Sequence, residues 1–370
     1  MRIVYFTHSL VSCWNHGNAH FLRGVLGELQ ALGHEVRVFE PADAWSLRGL
    51  IAERGAAALS GFQRTYPQLS SRTYAPDVDV EALLAGADLV LVHEWNEPWL
   101  VAAVGRARRR GRFSLFFHDT HHRAVSDPRA IGALPLGDYD AVLAFGESLA
   151  ETYRRRGWGR RAFVWHEAAD TRVFRPPTVE RRREGLVWIG NWGDDERSGE
   201  LEEFLLAPAH TAALALDVYG VRYPPEALEK LRAHGASWRG WAPNADVPRL
   251  FAGALATVHV PRRYYVERLP GVPTIRVFEA LACGVPLVSA PWNDAEGLFG
   301  AGDFVLARDR EAMTAALRAL ACDAGLRAEL AARGSRAIAA RHTCAHRARE
   351  LMRICAEVAG PGRAAAASAA

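Results

Sequence analysis

The chain has 370 residues, of which 49% are hydrophobic and 24% charged, and its formal net charge at pH 7 is +3. This length exceeds what one ordinary hydrophobic core fills and suffices for two α/β domains. The near balance of charge excludes the overall basic field that is typical of nucleic-acid-binding proteins, so we expect no nucleic-acid partner.

Arginine supplies nearly all of the positive side-chain charge, because Lys230 is the only lysine. Phosphate contacts must therefore come from arginine, histidine or backbone amides. The five cysteines are odd in number and show no CxxC spacing, so neither a disulfide framework nor a zinc site is predicted. The opening MRIVYFTH lacks the apolar core of a signal peptide, and no apolar run reaches membrane-spanning length. We therefore expect a cytoplasmic protein with at most peripheral membrane contact.

Strands and helices alternate through the first half of the sequence. The first strand is predicted over residues 3–7. A helix follows it, with Asn18 as its cap and an apolar stripe that runs from Phe21 to Leu32. This alternation predicts a doubly wound parallel α/β domain over residues 1–172. Further strands of this domain are predicted at residues 36–39, 89–93, 113–118, 141–145 and 163–165.

Residues 173–184 are rich in proline and arginine and lack a periodic pattern of apolar residues, so we predict that they form a linker. The alternation then resumes and predicts a second α/β domain over residues 185–342. A final helix is expected at 343–358, followed by a low-complexity, disordered tail at 359–370. Two such domains joined by a hinge place a ligand cleft between the carboxyl ends of their strands. Strands of the second domain are predicted at residues 186–189, 213–219, 255–260 and 286–289.

Polar residues follow three strands of the first domain, where parallel strands present their carboxyl ends. The loop after the first strand ends in His16 and Gly17 and lacks GxGxxG, which argues against a nicotinamide or flavin site. His16 either contacts phosphate or acceptor, or has a structural role in the loop. Glu94 ends the third strand and His118 the fourth, where a carboxylate or imidazole can orient a hydroxyl or take a proton. The alternative for both Glu94 and His118 is that they lie in polar loops and take no part in catalysis.

A metal site is not predicted. The histidines and aspartate within residues 118–122 match no ligand spacing, and the two DxD tripeptides, at 77–79 and 138–140, lack the context of a metal signature. In the second domain, Arg197 lies in an acidic loop, with Asp194, Asp195 and Glu196 opposing an anion there. Either Arg262 or Arg263, in VPRRYY, is predicted to hold phosphate, with a solvated surface cluster as the alternative.

Residues 271–290, GVPTIRVFEALACGVPLVSA, predict a helix over residues 275–283 that leads into a buried strand. Arg276 and Glu279 lie on one face near the start of this helix. A carboxylate that accepts ribose hydroxyls, beside an arginine and a helix N-terminus that hold a diphosphate, suits a nucleotide-sugar site. An exposed i,i+3 ion pair is the alternative interpretation.

Residues 275–290 resemble the donor-site helix of GT-B glycosyltransferases, most closely the group 1 and CgeB-like, family 4-type branches, which read R-x-F-E-A-L-A-C-G. The resemblance implies two Rossmann-like domains that face each other across a cleft. The first binds the acceptor, the second binds the donor, and the last helix packs back toward the first. It assigns Glu279 to the donor ribose. Many relatives carry a second glutamate where this chain has Gly271. The nearest upstream carboxylate is that of Glu267, and whether it contacts the donor sugar is left open.

The same resemblance implies the remaining roles. Phe117-His118-Asp119-Thr120 is similar to a family segment whose histidine lies beside the reacting sugar. Arg197 stands where relatives bind the diphosphate, and the loop through His16 and Gly17 approaches the donor phosphates. The implied activity is that of a hexosyltransferase-type, metal-independent and retaining glycosyltransferase. A UDP- or GDP-sugar is its co-substrate, no further cofactor is needed, and the acceptor is a glycan, a lipid-linked molecule or a small molecule.

Two alternatives share this fold. One is a sugar-nucleotide epimerase; a pyridoxal-dependent phosphorylase is excluded because Lys230 lies outside any cofactor motif. The other is a non-catalytic protein of envelope or spore-coat polysaccharide assembly. Gly271 favours the non-catalytic alternative, whereas His118 and Glu279 oppose it.

Overall fold

The computed structural model describes residues 1–177, 183–193 and 195–360. Part of the predicted linker, 178–182, and most of the predicted tail, 361–370, lie outside the described residues. The chain divides into two compact units: Met1–Glu167 together with the segment from Cys344 onward form the first, and Ala168–Thr343 form the second. None of the helices in the described ranges is long and apolar enough to cross a bilayer.

The first unit is built on a seven-stranded sheet in which every pairing is parallel, in the order β3-β2-β1-β4-β5-β6-β7. The strands are β1 (Arg2–Phe6), β2 (Glu35–Pro41), β3 (Arg72–Tyr74), β4 (Leu89–His93), β5 (Ser114–Asp119), β6 (Ala141–Ala144) and β7 (Ala162–Val164). The helices between them are α1 (Ala19–Ala31), α2 (Trp45–Arg54), α3 (Leu59–Thr65), α4 (Val80–Leu84), α5 (Pro98–Arg110), α6 (Arg123–Ser126), α7 (Pro128–Gly132) and α8 (Glu147–Arg156).

The second unit has a six-stranded parallel sheet in the order β10-β9-β8-β11-β12-β13. Its strands are β8 (Leu186–Ile189), β9 (Leu216–Tyr219), β10 (Ser237–Trp238), β11 (Ala256–His259), β12 (Leu287–Ser289) and β13 (Val305–Leu306). Its helices are α9 (Ser198–Leu201), α10 (Ala207–Thr211), α11 (Pro225–Ala233), α12 (Val247–Ala252), α13 (Arg263–Glu267), α14 (Ile275–Ala282), α15 (Arg310–Cys322) and α16 (Ala324–Arg341). The last helix, α17 (Cys344–Ala359), returns to the first unit and packs against α1.

Central strands of both sheets are buried on both faces, which explains their continuous apolar sequences. All five residues of β4 and all six of β5 are buried. Helix α1 buries its apolar stripe, but the predicted cap is wrong: Asn18 has helical backbone, and its amide bonds to Thr120 instead of to helix amides. The predicted class of two doubly wound α/β domains is confirmed.

Both sheets reverse their strand order once. The reversal lies between β1 and β4 in the first unit and between β8 and β11 in the second. Loops that leave neighbouring strands at such a point run in opposite directions and open a crevice at the carboxyl ends. The polar residues after β1, β4 and β5, and those after β8 and β11, are therefore where each unit presents its functional groups.

Candidate functional site

Helix α14 places Arg276 and Glu279 on one face, as their spacing predicts. Arg276 Nη1 donates a hydrogen bond to Glu279 Oε2; Glu279 is wholly buried, whereas the Arg276 side chain is 26% exposed. Asn244 Nδ2 donates to Glu279 Oε1 at 3.4 Å. A buried carboxylate needs such partners because its desolvation is costly. The pair therefore belongs to the interior of the second unit and is not a surface ion pair.

The residue before α14 does not cap the helix. Thr274 has extended backbone, with φ −81° and ψ 159°, which suits an N-cap, yet its side chain accepts no hydrogen bond from the helix amides. Its Oγ1 lies 3.1 Å from Nε2 of His259, the last residue of β11. Val277 N donates to the Thr274 carbonyl at 3.1 Å, but the Thr274 side chain leaves the other first-turn amides of α14 uncapped, at the positive end of the helix dipole.

Arg197, Arg262 and Arg276 form what we call the arginine cluster. Arg197 donates to Val260 O at 3.1 Å and to Asn191 O and Oδ1 at 2.8 and 3.1 Å. Burial, followed by the positive charges of Arg262 and Arg276, lowers the pKa of Arg197 to about 9. Like charges held this close repel one another, and an anion placed among them relieves that repulsion.

Arg262 and Arg263, which the sequence left as alternatives, have different surroundings. Arg262 donates to Asn191 Oδ1 at 3.0 Å and to Glu196 Oε2. Arg263 is exposed and donates to Glu200 Oε1 at 2.6 Å. The structure therefore brings Arg262 into the arginine cluster and leaves Arg263 at the surface.

The acidic loop after β8 is partly neutralised by these arginines. Glu196 pairs with Arg262, and the backbone carbonyl of Asp195 accepts from Arg263. Asp194 lies outside the described residues. Arg197, His259, Thr274 and Arg276 line part of a small, partly open pocket of about 20 Å³, which is the room that one water molecule needs.

The carboxylate beside Gly271 comes from a distant part of the sequence. Gly271 has φ +88°, and a Cβ placed there lies 2.9 Å from Glu296 Cγ and 3.0 Å from Glu296 Oε1. Glu267 is exposed at the end of α13. Glu296 was not predicted as a site residue, because no local pattern connects residues in two different loops.

His118 lies at the carboxyl end of β5 and is fully buried. The Tyr5 hydroxyl is 2.5 Å from His118 Nδ1, and the ring centroids of Trp165 and His93 lie 4.7 and 5.4 Å from that of His118. Burial lowers the pKa of His118 to about 3. Its imidazole is therefore neutral at physiological pH and a weak base, better suited to hydrogen bonding than to proton abstraction.

Three further histidines continue from His118 along the carboxyl ends of β4 and β1. Ring centroids are 6.1 Å apart between His93 and His16 and 5.9 Å apart between His16 and His8. Burial lowers the pKa of all three, that of His8 to about 4. His16 therefore lies in this row, and Gly17 follows it, where its carbonyl accepts from His20 N at the start of α1.

Glu94 and Asp119 form a buried pair of carboxyl groups at the ends of β4 and β5. Arg123 Nη1 lies 3.3 Å from Glu94 Oε2, while Asp119 accepts from Tyr153 Oη at 2.6 Å and from His121 N at 2.9 Å. Burial, with the neighbouring Asp119 charge, raises the pKa of Glu94; burial raises that of Asp119 to about 6. Asp119 was not predicted as a site residue, because Tyr153 and Glu94, which interact with its carboxyl group, lie in other segments of the chain.

Several buried polar atoms in this region make no hydrogen bond to any residue that the structure describes. Such atoms are uncommon in folded proteins, and their concentration marks a place for a polar ligand or water. They are Thr7 Oγ1, His16 Nε2, His93 Nδ1, Glu94 Oε1 and His118 Nε2. Within the described ranges, no group of three or more His, Cys, Asp or Glu residues is arranged to hold a metal ion.

Two family models match the chain. One, described as "Glycosyltransferase Family 4", matches residues 17–173, and the other, described as "Glycosyl transferase-like", matches residues 197–353. No curated protein matches the chain.

Solved structures with the same fold cover almost the whole chain. Anabaena HepE in complex with UDP-glucose matches with a TM-score of 0.67 and 12% identity, covering 96% of this chain and 99% of its own. A glycosyltransferase from Rickettsia africae matches with a TM-score of 0.67 and 10% identity, covering 97% and 99%. Sucrose-phosphate synthase from Thermosynechococcus elongatus matches with a TM-score of 0.64 and 14% identity, covering 96% and 98%. At these identities the likeness shows a shared fold.

Proposed function

The chain is a group 1 glycosyltransferase of the GT-B fold, as its sequence motif predicted, and we propose that it transfers a hexose from a nucleotide-diphosphate sugar to an acceptor hydroxyl. The observation that carries this proposal is the arginine cluster beside the uncapped N-terminus of α14. Guanidinium groups and helix amides together bind a diphosphate and stabilise the charge that it gains as it leaves the sugar. We propose that this replaces a divalent metal.

Glu279 is the proposed ribose ligand. Its carboxylate is already held by Arg276 and Asn244, so its orientation is fixed before the donor arrives. Because HepE binds UDP-glucose, a UDP-hexose is the first donor to test and a GDP-hexose the second. Glu296, beside Gly271, is the carboxylate that we propose for a hydroxyl of the donor sugar.

The buried polar groups of the first unit are proposed to serve the acceptor. Neutral His118 and Glu94 would accept hydrogen bonds from sugar hydroxyls or donate hydrogen bonds to them. His16 would contact either the phosphate or the acceptor. We propose retention of configuration by analogy with the family. The bond from the anomeric carbon to the diphosphate breaks, a bond to the acceptor oxygen forms, and the acceptor proton passes to a diphosphate oxygen. The acceptor is a glycan, a lipid-linked molecule or a small molecule.

A thermal-shift panel tests the donor site. UDP, GDP, dTDP, ADP and CMP are added to the wild type and to Glu279→Ala. We expect one diphosphate to raise the melting temperature, because a ligand at about 100 times its Kd stabilises the native state by ~2.7 kcal/mol. The shift should be lost in Glu279→Ala. A wild type that responds to no nucleotide at millimolar concentration would contradict the proposal and favour the non-catalytic alternative.

A further inference from the structure

Thr274 has the backbone of a helix cap but does not act as one. Threonine is among the favoured N-cap residues, and extended backbone is the conformation that capping requires. At this position elsewhere in the described chain, Asp79 caps α4, Asp127 caps α7, Asp309 caps α15 and Asp323 caps α16, whereas Asn18 and Asp246, which do not cap α1 and α12, have helical backbone. The uncapped start of α14 therefore has a local cause.

That cause is His259. Ser289 Oγ donates to Ala290 O at 2.8 Å, so it must accept from His259 Nδ1, which lies 2.9 Å away. With the proton on Nδ1, Nε2 carries a lone pair and accepts a hydrogen bond from the Thr274 hydroxyl, whose Oγ1 is 3.1 Å away. The chain of hydrogen bonds therefore fixes the tautomer of His259 and the direction in which the Thr274 hydroxyl points.

His259 keeps this role over a wide pH range. It is 4% exposed, and burial together with the positive charge of Arg197 lowers its pKa to about 3. Arg276 also lines the small pocket next to His259, so a second guanidinium group lies near this imidazole. Nε2 therefore remains an acceptor.

We propose that His259 is a positioning residue for donor binding. By accepting a hydrogen bond from the Thr274 hydroxyl, His259 holds that hydroxyl away from the first turn of α14. The helix amides thereby stay available to the donor diphosphate. This inference rests on the proposed donor site. Without His259, Thr274 is free to rotate and cap its own helix, and capping then competes with the nucleotide for the same amides.

A double-mutant cycle tests this competition with UDP as the probe, or GDP if only GDP binds the wild type. We expect His259→Phe to weaken binding about fivefold, the equivalent of one N-cap hydrogen bond. Adding Thr274→Val to His259→Phe removes the competing hydroxyl, so affinity should rise again to that of Thr274→Val alone. A purely structural role of His259 would give no such recovery. Additive losses in the double variant would overturn the proposal.

Thr274→Asn provides a test that leaves His259 intact, should His259→Phe fail to fold. Asparagine is a stronger cap with a longer reach. We expect this variant to melt at a higher temperature without nucleotide and to bind UDP several-fold more weakly. Unchanged affinity together with a raised melting temperature would overturn the proposal. A wild type that binds neither UDP nor GDP would instead contradict the donor site itself.

Discussion

Arginines 262 and 263 are neighbours in sequence, but their side chains have opposite surroundings. Arg262 joins Arg197 and Arg276 in the arginine cluster, whereas Arg263 is exposed and paired with Glu200. Exposed ion pairs contribute little to stability because solvent screens them. The two residues therefore form a matched pair with the same chemistry and different positions.

We expect Arg262→Ala to weaken binding of the donor nucleotide by ~10- to 100-fold, because a hydrogen bond to a charged group contributes about 1.5–3 kcal/mol. Arg263→Ala should change affinity by less than about twofold. Isothermal titration of both variants with UDP measures the difference. Equal losses would show that the phosphate is held by the whole loop and not by the arginine cluster.

At the scale of elements, helix caps can be compared within one unit. Asp309 accepts a hydrogen bond from Ala312 N and caps α15, whereas Asp246 precedes α12 without a side-chain cap. We expect Asp309→Ala to lower the free energy of unfolding by about 1 kcal/mol and Asp246→Ala to lower it by less than about 0.5 kcal/mol. Urea denaturation of the two variants checks this; a larger loss in Asp246→Ala would contradict it.

The sequence predicted those helices and strands that a local sequence pattern marks. Helix α14 ends within one residue of its prediction because Gly284, at φ +62°, follows it. The edge strands β3, β10 and β13 were missed, because each has only two or three residues and none is wholly buried, so their sequences lack the continuous apolar run that marks a buried strand. Contacts between distant segments were also missed: His259 with Thr274, Glu296 with Gly271, and Glu94 with Asp119. Their geometry depends on packing that no local pattern encodes.

At the scale of the whole molecule, the buried histidines make stability depend on pH. Burial lowers the folded pKa of His118 and His259 from 6.5 to about 3 and that of His8 to about 4, and it also lowers that of His16 and His93. Below pH 6.5 the unfolded chain binds protons that the native chain does not. The stabilisation is complete above this pH and is lost as pH falls toward the folded pKa values.

Two carboxyl groups act in the opposite direction. The raised pKa values of Glu94 and Asp119, the latter about 6, add stability as pH falls. These histidines outnumber the two carboxyl groups, so we expect the free energy of unfolding to fall as the pH is lowered from about 6 to about 5. Urea unfolding at these two pH values gives the slope. Stability that is constant or rises on acidification would contradict the prediction.

The single lysine gives the molecule one further property. Lys230 lies in α11 and bonds to Glu202 at 2.6 Å. An endoprotease that cuts only after lysine has one peptide bond available in the entire chain, and an intact helix does not fit its active site. Cleavage into two fragments therefore reports transient opening of α11, and its rate measures that opening without a label or an added reporter residue.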